Sequence, residues 1–99
     1  MHNNTPKPEH PGVIFYSDFI EPSGCTVTII AEKLKIHRKT LSEFINGKSR
    51  CSTTMAIKLG LLTKTNPILW LNIQTQLDLW HAQQKAFNVE HFPELLVKQ

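Results

Sequence analysis

Residues 36–48, IHRKTLSEFINGK, hold the one arrangement of side chains whose types and spacing suit a specific chemistry. Arg38 and Lys39 are adjacent, and Ser42 and Glu43 follow four residues after each, so a helix here gathers all four on one polar face. Arg and Lys donate to guanine O6 and N7 in the major groove of DNA, a good pair giving about 1–3 kcal/mol of discrimination, and a glutamate can accept from cytosine N4. Lys48 and Arg50, just beyond, would add affinity without selectivity through phosphate contacts. The competing reading is an ordinary wet face on an amphipathic helix whose inner side is Leu41, Phe44 and Ile45.

Charge distribution favours the polyanion reading. The net charge is only +3, yet residues 33–64 hold eight Lys and Arg (33, 35, 38, 39, 48, 50, 58 and 64) against Glu43 alone. Residues 65–99 hold Lys85 and Lys98 against Asp78, Glu90 and Glu94. A basic middle third points to nucleic acid as the commonest partner, a solvated lysine face being the alternative.

Catalysis finds little support. The five His, at 2, 10, 37, 81 and 91, share no helix face with a carboxylate pair, and Gly24 and Gly47 form no phosphate loop. Cys25 and Cys51 lack the spacing of a disulfide framework or a zinc site and are expected as reduced packing residues. No catalytic residue, metal ligand or cofactor is expected. No long apolar run with basic flanks signals secretion or a membrane span, so the default address is the cytoplasm.

The elements that would position the recognition face are all helical. Ninety-nine residues suit one domain, 10–87, after a polar, proline-bearing and disordered segment 1–9, with a tail at 88–99. Pro11 opens a first helix that Glu21-Pro22 should stop. Thr26 caps a second, carrying Val27, Ile30, Ala31 and Leu34 at spacings of three and four. Residues 38–45 form the third, ended by Asn46-Gly47. Ser52 caps a fourth bearing Met55, Ala56, Leu59 and Leu62, and Asn66-Pro67 opens a long fifth. No strand-like alternation competes, so the fold class is all-α, a five-helix bundle.

Two features follow from this order. The second and third helices, joined by about three residues, have the dimensions of a helix-turn-helix, with Ala31 at the crossing and Ile36 in the turn. The fifth helix is apolar on two sides: Trp70, Ile73, Leu77 and Trp80 on one, Ile68, Leu71, Leu79, Ala82 and Ala86 on the other. One core covers one side. A homodimer through Ile68, Leu71, Leu79 and Ala82 most simply covers the second, unless the tail folds back over it.

The segments HPGVIFYSDFIEPSG, IAEKLKIHRKTLSEFINGK, MAIKLG and NPILWLNIQTQLDLW together resemble the HigA-type antitoxins, also described as virulence-associated protein I-like, of the XRE helix-turn-helix group. The resemblance spans about residues 10–82 and implies a lambda-repressor-like DNA-binding fold. It further implies an antitoxin that binds a palindromic operator in double-stranded DNA as a dimer, autorepresses its operon, and neutralises a HigB-type, RelE-like mRNA-cleaving toxin. By position, Arg38, Lys39, Ser42 and Glu43 become base readers, while His37, Thr40, Asn46 and Lys48 match places that contact phosphate. Two residues depart from the family pattern. Lys35 stands in the turn where relatives usually have Gly, costing about 1 kcal/mol if φ is positive, and His37 replaces a capping Ser. The alternative is a stand-alone helix-turn-helix regulator without a toxin.

Overall fold

His10 begins the folded core by bending its ring back on its own backbone: Nδ1 accepts the Gly12 N–H at 2.8 Å, and Nε2 donates to the Ser49 carbonyl, also at 2.8 Å. The computed structural model describes residues 5–95, and helix α1 follows this cap as Pro11–Phe15, a π-helical turn Tyr16–Ile20 and a last turn Glu21–Ser23, without a break. Glu21-Pro22 therefore does not stop the helix as expected. The wide turn, in which the Glu21 N–H reaches back to the Tyr16 carbonyl, relieves the contact that a proline ring makes in a regular helix. The stop comes two residues later at Gly24, φ 72°.

Four more helices follow: α2 Val27–Leu34, α3 Arg38–Ile45, α4 Thr53–Thr63 and α5 Pro67–Ala82. The regular structure of the described residues is thus all helix, in five helices and without a strand. Thr26, Ser52 and Asn66 each accept a backbone N–H of the first turn, as their types require. Three helices end alike, with a left-handed residue and a backbone bond spanning the last turn: Ile36 to Ala31, Lys48 to Glu43 and Thr65 to Gly60. Glycine supplies the left-handed residue only at Gly47; at the other two ends it is Lys35, φ 59°, and Lys64, φ 57°.

The core is one cluster in which Phe15, Leu41, Phe44, Ala56, Leu59 and Trp70 are almost fully buried. Phe15 meets Trp70 edge-on at 5.9 Å, and Phe19 adds a second ring against the indole at 5.8 Å. Trp70 also satisfies its N–H on Thr65 Oγ1 at 2.9 Å. α1 lies so close to α3 that a Cβ at Gly12 would stand 1.8 Å from the Phe44 carbonyl oxygen. Only glycine allows that approach, and through it α1 backs the helix carrying the polar face.

Residues 1–4 of the expected disordered segment lie outside the described residues, as do 96–99 of the tail. Residues 5–9 carry no regular structure, but the Thr5 carbonyl accepts the Trp80 indole N–H at 2.8 Å and the Lys7 ammonium lies 5.9 Å from the indole centre. Trp80 is thereby half-buried against the N-terminal segment rather than set into the core.

Candidate nucleic-acid interface

Helices α2 and α3 and the turn between them form a helix-turn-helix, and the turn owes its shape to Lys35. Its positive φ lets the chain reverse within Lys35, Ile36 and His37, while its carbonyl accepts a hydrogen bond from Lys58 Nζ at 3.2 Å. The left-handed value expected of the family's glycine is therefore carried by a lysine. Lys58, one of the eight central basic residues, is partly committed to this turn.

Buried Leu41 and Phe44 fix the rotation of α3, and that rotation places Arg38, Lys39, Thr40 and Glu43 on its exposed side. Ser42 is half-buried. Arg38, the first residue of the helix, donates from Nε to Thr28 Oγ1 of α2 at 3.1 Å. This contact across the helix-turn-helix sets the direction of the guanidinium. Lys39, Lys48 and His37 are exposed, and the His37 ring makes no capping bond. Asn46 turns its amide back onto the Ser42 carbonyl at 2.7 Å, finishing α3 instead of projecting from it.

Arg50, expected to meet phosphate, is engaged within the chain. Its guanidinium is bidentate on Asp78 of α5, at 2.6 and 2.8 Å, the one ion pair among the described residues. Asp78 also accepts from Gln74 Nε2 at 3.0 Å, and Gln74 Oε1 accepts the Cys51 N–H at 2.8 Å. Gln74, almost fully buried, is thus satisfied at both ends and ties the loop after α3 to α5. The Asp78 carboxyl is held below its ordinary range first by the bond from Arg50, and the neighbouring Cys51 thiol is pushed up to about 11 by burial. Both cysteines are free thiols, Cys51 buried and Cys25 half-buried.

The outer side of α5 splits the expected interface residues. Ile68 and Leu79 are 54% and 52% exposed and Ala82 is exposed as well, but Leu71 is half-buried against the core. Leu69 joins the exposed set.

An HTH-type transcriptional regulator of Haemophilus influenzae, itself uncharacterized, is 41% identical over 79 residues, 80% of this chain and 74% of that protein. The antitoxin HigA-1 of Vibrio cholerae is 35% identical over 85 residues, 86% of this chain and 80% of that protein. The chain belongs to the HigA family of helix-turn-helix antitoxins. The Pseudomonas aeruginosa antitoxin HigA, solved with the higBA promoter, superposes on this HigA-type chain with a TM-score of 0.73 at 29% identity, covering 77% of this chain and 83% of that one. No family model matches. Membership places the chain among regulators rather than enzymes, and no helix of the described residues is long and apolar enough to cross a membrane.

Sequence reasoning missed several residues that build this HigA-type interface. Gly12 admits α3, His10 ties α1 to the loop after it, Thr28 orients Arg38, and Gln74 with Asp78 anchors that loop to α5. The last pair had a visible signal: the Q and D of NIQTQLD stand four apart on the core side of a helix otherwise read as apolar. A polar pair at that spacing on an inward face calls for a partner, and the partner is the 50–51 loop.

Proposed function

We propose that this chain is a dimeric antitoxin that represses its own operon and neutralises a HigB-type mRNA-cleaving toxin. The observation that carries the DNA half is the exposed start of α3, where Arg38 is aimed by Thr28 and Lys39 stands beside it without an ion-pair partner among the described residues. In this reading α3 enters the major groove, Arg38 and Lys39 read base edges, and Ser42 and Glu43 select at the next position. His37, Thr40 and Lys48 meet phosphates, with Asn46 shaping the end of the helix and Arg50 holding the loop. Few readers on one protomer give weak selectivity. A second copy packed on the Ile68, Leu79 and Ala82 stripe doubles them and calls for a palindrome with half-sites about one helical turn apart.

Toxin neutralisation rests on family membership. Co-purification with the product of the neighbouring gene, followed by a gel shift on the DNA upstream of both, tests the two halves together. A stable complex and a shifted palindrome support the reading. A shift without any toxin partner leaves the stand-alone regulator, which the Haemophilus influenzae relative's name fits equally well.

A further inference from the structure

The C-terminal ends of α2 and α4 enclose a groove of about 360 Å³, floored by Leu34, Leu61 and Leu62 and rimmed by Lys33, Lys35 and Lys58. Leu61 is 78% exposed, the most open large apolar side chain of the described helices. A surface that is apolar below and cationic at the rim suits a segment that is apolar and acidic in turn. The chain owns such a segment. Between residues 87 and 95, Phe87, Val89, Phe92 and Leu95 are all exposed, with Glu90 and Glu94 between them.

Geometry says which copy it would serve. Phe87, Val89, Phe92 and Leu95 stay exposed and no residue of the segment lines the groove of its own chain. The segment leaves from the C-terminal end of α5, whereas the groove borders the other end, next to the Lys64–Asn66 connection. Sixteen residues separate the two by ~24 Å. When two copies pack their Ile68, Leu79 and Ala82 stripes about a two-fold axis crossing α5 near Thr75, the helices run antiparallel, the sense their dipoles favour. The C-terminal end of one α5 then lies at the groove end of the other.

We propose that each protomer docks residues 87–95 in the Lys33, Lys35 and Lys58 groove of its partner, a reciprocal exchange that adds an electrostatic clasp to the α5 pairing. The proposal rests on the dimer reading given above. Phe92 and Leu95 cover Leu61 and Leu62, and Glu90 and Glu94 reach the rim lysines.

The full-length chain carrying Leu61→Cys and Phe92→Cys in a Cys25→Ser background tests it, oxidised mildly with diamide at low salt beside a reduced sample in sedimentation velocity. Dimer by sedimentation with a disulfide between chains, seen as dimer mass without reductant, is the expected result. Lys33→Glu should slow that cross-link by about twofold to fivefold, and adding Glu94→Lys should restore it. A dimer that forms no cross-link, or closes one within a single chain, overturns the exchange and leaves the dimer standing. A monomer by sedimentation overturns the dimer reading and the exchange with it.

Discussion

Arg50 and Asp78, 28 residues apart in the chain, hold each other through two hydrogen bonds of 2.6 and 2.8 Å. One precedes α4 and the other lies on α5, so the pair fixes the loop after the recognition helix to the helix proposed to form the dimer. Gln74 continues the link into the interior by accepting the Cys51 N–H. Replacing Gln74 with Leu strands that buried N–H and should cost about 1–3 kcal/mol in urea unfolding. Arg50→Ala, which removes an exposed guanidinium, should cost clearly less. Equal costs would show that the buried amide carries no more than the surface pair.

Acid should weaken the fold in part through Asp78. Its folded carboxyl is held below the ordinary value, chiefly by the Arg50 bond. Its stabilisation is therefore complete above an unfolded value near 4 and fades as pH falls through the lower folded one. The Asp78→Asn chain should be less stable than the parent at pH 7 and lose less between pH 5 and 2. Parallel stability curves for the two chains over that range would contradict this.

Gly12→Ala tests the contact between α1 and α3. Its Cβ would fall 1.8 Å from the Phe44 carbonyl oxygen, backbone that cannot rotate away. The helices must separate, so destabilisation of at least about 1–3 kcal/mol is expected by thermal melting, with DNA binding lost alongside. Gly24→Ala meets no neighbouring atom within 4 Å and bears only the strain of its positive φ, making it the matched control.

Lys35→Gly should stabilise the chain. A left-handed non-glycine residue costs about 1–2 kcal/mol and glycine's extra unfolded freedom offsets roughly 0.5–1 of that, leaving a gain of about 0.5–1 kcal/mol. That is several degrees in melting temperature. Lys64→Gly should behave alike, since its φ of 57° is the same strain at the end of α4. A fall in melting temperature at both sites would contradict the assignment.

Much of the fold is legible in the sequence because its signals are local. Thr26, Ser52 and Asn66-Pro67 each state a helix start, and Asn46-Gly47 states an end, through chemistry confined to four or five residues. What is not legible depends on distance. Pro22 reads as a stop, since nothing local announces the π-helical turn that accommodates it. Gly12 reads as an ordinary helix residue until the Phe44 carbonyl arrives from 32 positions on. Arg50 reads as a free cation because its bond to Asp78 crosses two helices. Arg38, Lys39 and Glu43 are legible as an exposed face because Leu41 and Phe44 alone settle the rotation of α3, whereas Thr28's hold on Arg38 requires the α2–α3 crossing.

Lys39 and Lys48 should separate in salt. Lys48→Ala, proposed to leave one phosphate without its cation, should lower the slope of log affinity against log salt by about 0.9 for each phosphate no longer neutralised, while leaving the ratio of operator to unrelated DNA nearly unchanged. Lys39→Ala should reduce that ratio instead. The opposite pattern would exchange their roles.

Operator reading is proposed to depend above all on Arg38, aimed from the start of α3. The decisive measurement is fluorescence anisotropy of the parent and Arg38→Ala chains at moderate salt, on the proposed upstream palindrome and on a scrambled duplex. Arg38→Ala should lose most of the preference for the palindrome, roughly 30-fold or more from about 1–3 kcal/mol in each half-site, with the proposed dimer intact by sedimentation. Equal preference in the two proteins would contradict the role given to Arg38.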